Sequence, residues 1–375
     1  MIAAISISSF TQYYFGIVNS LLLNADQRGY IQYNAQTITV VLNTVVCVFM
    51  IKLGGSVQLV KLTTSLIYLA RPFVLRIYVN RWYRIDWKIQ YDGEPIQQKW
   101  NGVAQHIATV VLDGTDTIVL TLVSTLSNVS IYSVYFMVIK GVKTLFLSMK
   151  NGIQSLLGEL WARQELDELK KTFGWTEWCV HTGTTFVFSC TAALIVPFVR
   201  VYTAGINDTN YIQPTFAMLL TLAHAMHCLR LPYNIMVLAA GHYKQTQKNY
   251  IVAATINIVL SVLTVKAWGL IGVAIGTLAA MAYQTVWLAI YDSKHFVFWS
   301  MKSVIKQFAV DGITAVFIVV ISGMLTMHSV TYLSWIMLAI VTALLAVIIT
   351  AFLNFIMYKE KMMALIHILL KGKRK

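Results

Sequence analysis

The sequence predicts an all-α integral membrane protein with about eleven transmembrane helices. Three observations predict it. First, the chain is 58% hydrophobic and only 12% charged, where a soluble chain carries roughly 25% charge. This excludes a soluble globule, a disordered tail and a secreted disulfide scaffold. Second, the apolar residues gather in runs that match the roughly 20 helical residues needed to cross a hydrocarbon core about 30 Å thick. Such runs are too long for barrel strands, and backbone in lipid must bond to itself, so the spans are helices in a bundle. Third, the basic residues are distributed unevenly between the runs.

Taken in order, the runs at 2–23, 34–53 and 57–78 make a partial amino-terminal lobe, residues 1–80. Residues 81–101 interleave Arg81, Trp82, Tyr83, Arg84 and Lys88, the composition of a basic linker at a cytoplasmic interface. The runs at 102–125, 131–157, 178–199, 214–239, 249–266 and 269–290 make a six-helix carboxyl-terminal lobe, residues 102–292. An additional helix pair, 307–326 and 332–357, fills residues 293–358. The tail 359–375 mixes six basic residues with Met-Met-Ala-Leu-Ile and reads as a basic amphipathic segment on an anionic inner leaflet. The Gly269 to Gly276 spacing predicts close helix packing.

With the carboxyl terminus in the cytoplasm, loops on that side hold twenty-one of the 29 lysines and arginines. The opposite loops hold Lys52, Arg200 and Lys266. This is the positive-inside pattern of a multi-pass protein of the cell (cytoplasmic) membrane. It accounts for the net charge of +14 without nucleic acid, for which there is no groove-reading module. The four cysteines lie in or beside apolar runs without metal-ligand spacing. No enzyme motif is present, and neither cofactor nor metal is expected.

The same alternation puts Met1 outside, opening directly into a hydrophobic helix with no cleavage signal. An internal repeat points the same way. Leu22-Leu23-Asn24-Ala25-Asp26-Gln27-Arg28 resembles Leu238-Ala239-Ala240-Gly241-His242-Tyr243-Lys244, and repeated halves are common in transporters. Together these predict that about three helices are missing upstream.

Ionisable groups within the runs are candidates for function, because each is costly in hydrocarbon. They are Lys61, Lys140, Lys143, Lys150, Arg230, Asp113 and Asp116, a surplus of three positive charges. Gln105, His106, Thr109, Asp113, Asp116 and Thr117 share one half of their helix at 100° per residue. Lys140, Lys143, Lys150 and Gln154 form a facing stripe on the next. Asp113 and Lys143 lie 15 residues either side of Asn128, and Asp116 and Lys140 lie 12 either side. Each acid therefore sits at the depth of one lysine, which predicts two ion pairs across the hairpin. Lys140, Lys143 and Arg230 are the candidate ligands for an anionic substrate, with Asp113 and Asp116 as counter-charges or ion-coupling groups. Lys61 and Lys150, near helix ends, read as snorkelling residues. Pro232 should loosen the helix beside Arg230. Asp311 reads as the opening of a helix, and His224 and His227 lack a third metal ligand.

The phrases Ser130-Ile131-Tyr132-Ser133-Val134-Tyr135, Gly152-Ile153-Gln154-Ser155-Leu156-Leu157-Gly158, Arg230-Leu231-Pro232-Tyr233-Asn234 and Ala239-Ala240-Gly241-His242-Tyr243-Lys244-Gln245-Thr246 carry a family likeness. Through them the chain resembles the polysaccharide (O-antigen/capsule-type) flippases of the multidrug/oligosaccharidyl-lipid/polysaccharide exporter superfamily. The resemblance implies two helical lobes around a central cavity and translocation of lipid-diphosphate-linked oligosaccharide units by alternating access, for surface polysaccharide biosynthesis. The implied partners are the lipid-linked glycan and membrane lipids, with a polysaccharide polymerase and glycosyltransferases nearby. The alternatives are a multidrug/cation antiporter of the same superfamily, disfavoured by the cationic surplus, and an inactive N-terminally truncated fragment. A membrane-integral glycan polymerase or acyltransferase would need larger external loops.

Overall fold

The computed structural model describes residues 16–85, 98–299 and 301–372, with Phe10 and Tyr14. The described residues form helices and connecting turns. Nine helical segments among them are long and apolar enough to cross a membrane. The expected run 2–23 falls mostly outside the described residues, as do residues 86–97 of the basic linker and the last three residues of the tail.

The chain divides into two compact units. The first comprises Met1–Gln97 with Asn151–Leu156. It contains α1 (Ile17–Ala25), α2 (Gly29–Lys52) and α3 (Val57–Trp82). Leu23, Leu75 and Val79 form its buried centre, packed against Ile31, Ala35 and Tyr78. The turn after α1 places Gln27 at φ 57°. There Asp26 accepts from Tyr83 and pairs with Arg28 at 3.0 Å. Ser56 caps α3 by accepting from the Leu59 amide.

The second unit, Gln98–Lys150 with Leu157–Lys375, holds the rest. Its first hairpin is α4 (Lys99–Val123) and α5 (Leu126–Leu147), where Thr125 caps α5 by accepting from the Asn128 amide. The run at 131–157 does not continue as one rod. Ser148 and Met149 form a turn, and α6 (Lys150–Ala162) starts afresh. Next come α7 (Leu166–Tyr202), α8 (Pro214–Leu229), α9 (Leu231–Ala239), α10 (Tyr243–Trp268), α11 (Leu270–His295), α12 (Met301–Gly323), α13 (Tyr332–Met357) and α14 (Lys359–Gly372). The break between α8 and α9 falls at Arg230, two residues before Pro232, which has no amide to donate.

Helices α4, α10 and α11 form a tightly packed trio around Leu112, Ala253, Ala280 and Met281. Its closest approach to backbone is at Gly272. A Cβ there would lie 2.5 Å from the Thr264 carbonyl oxygen, so only glycine lets α10 and α11 meet. On the other side of the unit α7 packs against α8, α12 and α13. Trp178 on α7 donates to the Asn354 side chain at 2.9 Å, and Trp335 on α13 donates to the Leu194 carbonyl at 3.2 Å. Asp311 does not open a helix, contrary to expectation. It lies buried within α12, bonded to His181 of α7, and its partner rather than a helix dipole accounts for it.

Candidate functional site: a cationic cavity

The polar stripe of α4 supplies one wall of a cavity of about 300 Å³, through Gly102, Gln105, His106, Thr109 and Asp113. Helix α5 adds Lys143 and Leu147, the start of α6 adds Lys150, and α8 adds His227. Arg230, at the helix break, and Leu231, Asn234 and Leu238 of α9 close the opposite side, with Tyr243 and Tyr250 of α10. All of these residues belong to the second unit.

The frame around the cavity is held by uncharged bonds. Gln105 donates to the Tyr243 carbonyl at 2.9 Å and to the Thr246 hydroxyl at 2.7 Å, joining α4 to the start of α10. The Asn234 amide donates to the Tyr250 hydroxyl, joining α9 to α10. Each bond satisfies a polar group that would be costly in hydrocarbon if unpaired.

The charges inside this frame are unequal. Lys143 Nζ pairs with Asp113 Oδ1 at 3.0 Å, as the depth argument predicts. The lysine side chain is 8% exposed and the aspartate 42%, so the acid is the partner that meets the open space. Arg230 is buried. Its Nη2 lies 3.1 Å from His227 Nδ1, while Nε and Nη1 have no hydrogen-bond partner. Lys150 also lines the cavity, close enough to Arg230 for the two to repel. The cavity therefore holds three cations against one carboxylate.

Of the five site residues expected from the sequence, the structure brings three together here: Asp113, Lys143 and Arg230. Asp116 and Lys140 lie elsewhere, and the ion pair expected between them is not formed. Asp116 is buried between helices, where its carboxylate accepts from the Thr277 hydroxyl at 2.6 Å and the Tyr132 hydroxyl at 3.1 Å. Asn257, which donates to Thr277 at 3.4 Å, stands beside it. Lys140 is exposed on the outer side of α5 and is absent from the cavity wall. Equal depth brought these two residues to one level, but a helix also has an azimuth. Three residues separate Asp113 from Asp116, which turns the second acid about 60° away.

Lys150 is the residue that reading the sequence as a snorkelling group missed. It lines the cavity with Lys143, at the start of α6 just past the turn at Ser148–Met149. The signal available was its place on the same stripe as Lys143.

No family model matches the chain, and no curated protein matches it. A solved structure described as "Lipid II flippase MurJ, inward closed conformation" is similar over 94% of this chain and 72% of that one, with a TM-score of 0.59. The likeness establishes the fold. At 15% identity it shows a shared all-α membrane architecture, not a shared substrate. The chain is thus a multi-pass helical membrane protein whose fold is similar to that of this solved structure.

Proposed function

We propose that the chain translocates lipid-diphosphate-linked oligosaccharide units across the cytoplasmic membrane, for surface polysaccharide biosynthesis of the O-antigen or capsule type. It works by alternating access, opening the cavity to one face and then the other. The observation that carries this reading is Arg230, a buried guanidinium with two unpartnered nitrogens, which lines a cavity together with Lys143 and Lys150. Guanidinium and ammonium groups attract phosphate oxygens directly, and a diphosphate would satisfy donors that are otherwise left unpaired. The likeness in fold to a lipid II flippase structure is consistent with this substrate class. A cationic substrate would meet three like charges, which disfavours a drug antiporter.

In this reading Asp113 is the counter-charge that holds Lys143 in place while the cavity is empty. Asp116 lies outside the cavity, among hydroxyl and amide groups, and its proposed role is ion coupling. A polymerase and glycosyltransferases remain the proposed partners, because they would consume and supply the carrier-linked glycan.

The test is transport in proteoliposomes containing the full chain and a fluorescent polyprenyl-diphosphate oligosaccharide, with a membrane-impermeant reductant reporting the outer-leaflet fraction. Lys143→Ala, Lys150→Ala and Arg230→Ala should each slow loss of the protected fraction. The same glycan on a polyprenyl alcohol should be carried poorly. Rates equal to that of the unmutated chain in all three variants, or equal transport of both lipids, would overturn the assignment.

A further inference from the structure

Behind the cavity wall lies a second set of titratable groups that the proposed transport site does not use. Helix α7 carries Glu177 and His181, α11 carries Asp292, α12 carries Asp311 and α9 carries Tyr233. All five are buried, with His181 and Asp292 fully so. His181 Nδ1 lies 2.6 Å from Asp311 Oδ2, and Gln307 donates to the other oxygen of that carboxylate at 3.2 Å. The Tyr233 hydroxyl donates to Glu177 Oε1 at 2.7 Å. Neither oxygen of Asp292 has a hydrogen-bond partner, although Glu177 is near enough to interact with it. His181 Nε2 is also unpartnered, and the Leu229 carbonyl, the last before the helix break, lies near its ring.

The charges facing this group come from several elements. Lys361, at the start of α14, donates to the Gly174 carbonyl at 2.9 Å, one turn from Glu177, and is the nearby cation. The Tyr358 hydroxyl interacts with Asp311 and Glu177. The titratable groups of α5 and α8, namely Lys143, His224 and His227, interact instead with Asp113, Arg230 and Lys150 on the cavity side. Three carboxyl groups thus share one histidine and one partly buried lysine. Dry protein does not hold an uncompensated carboxylate; it neutralises the group or supplies a proton.

The short helix α9 lies between this cluster and the cavity. On one side Tyr233 is bonded to Glu177, and about 130° round the helix Leu231, Asn234 and Leu238 line the cavity. At the joint the Arg230 N–H donates to the Met226 carbonyl at 3.1 Å and its carbonyl accepts from the Asn234 amide at 3.0 Å, while Pro232 supplies no donor, so α9 meets α8 at a thinned point where the helix can bend. We propose that Glu177, His181, Asp292 and Asp311 form a proton-exchange site whose charge sets the seating of α9 and so the shape of the cavity. A proton taken up by the cluster weakens the pull on the α9 side of the break, and its release restores it. This goes beyond the transport reading and does not depend on which anion the cavity takes.

The test uses the full chain in detergent with Cys47, Cys179, Cys190 and Cys228 replaced by alanine. A small fluorophore at Leu238→Cys reports acrylamide quenching. Quenching should follow a sigmoid between about pH 5 and pH 8, the range in which histidine ordinarily changes charge. Glu177→Gln, His181→Gln, Asp292→Asn and Asp311→Asn should each shift or remove that sigmoid, while Lys266→Ala, exposed in the last turn of α10, should leave it in place. The second measurement, infrared difference spectroscopy of the unmutated chain, avoids any variant that fails to fold. A pH jump should produce a carboxylic-acid carbonyl band. A flat quenching curve, a midpoint unmoved in all four variants, a transition that follows sodium rather than pH, or no carboxylic-acid band would each overturn the proposal. Substrate is absent throughout, so the outcome is independent of the transport assignment.

Discussion

Replacing Arg230 with methionine should move binding and stability in opposite directions. The guanidinium is buried, and three of its nitrogens have different fates: Nη2 meets His227, while Nε and Nη1 are free to donate. Each charge-assisted bond to a phosphate oxygen is worth about 1.5–3 kcal/mol. Losing two therefore removes about 3–6 kcal/mol, a weakening of roughly 10²- to 10⁴-fold. For the empty protein the balance differs. Removing a buried charge recovers a desolvation penalty of several kcal/mol, whereas leaving His227 Nδ1 unpaired costs about 1–3 kcal/mol. Arg230→Met should therefore be at least as stable as the parent. The assay pairs thermal unfolding in detergent with titration of the purified full chain by a short-chain polyprenyl diphosphate. Lower stability together with unchanged affinity would mean that Arg230 is a packing residue, and the cavity argument would fail.

Three further outcomes follow from single contacts. Gly272→Ala should destabilise the chain by about 1–3 kcal/mol through overpacking, because the added carbon would meet the Thr264 carbonyl at 2.5 Å. Gly114→Ala, where nothing lies within 4 Å, should not; the two melting curves make the comparison. Asp113→Asn should destabilise the chain, since it leaves the buried Lys143 ammonium without its partner, yet it should tighten anion binding in the same titration by removing the one carboxylate in the cavity. Asp116→Leu leaves the Tyr132 hydroxyl without its acceptor, while Thr277 can still donate to the Val273 carbonyl at 3.2 Å, and should cost about 1–3 kcal/mol for the unsatisfied hydroxyl. Asp116→Asn, which keeps an acceptor, should lose less, as thermal unfolding would show.

The membrane class, the all-α architecture and the Asp113–Lys143 pair were legible in the chain itself. Hydrocarbon thickness and a rise of about 1.5 Å per residue are one-dimensional constraints, and a linear sequence encodes depth directly. The rest depended on direction around each helix and on where helices break. Asp116 and Lys140 share a level but face different neighbours, so counting residues paired them wrongly. Lys150 lines the cavity from the start of α6, just past the point where α5 stops at Leu147. No local pattern announces a short turn between two good helix formers. His181 and Asp311 are 130 residues apart and meet only because α7 packs against α12. Their contact is a property of helix packing, which depends on side-chain shape across the whole unit rather than on the composition of either segment.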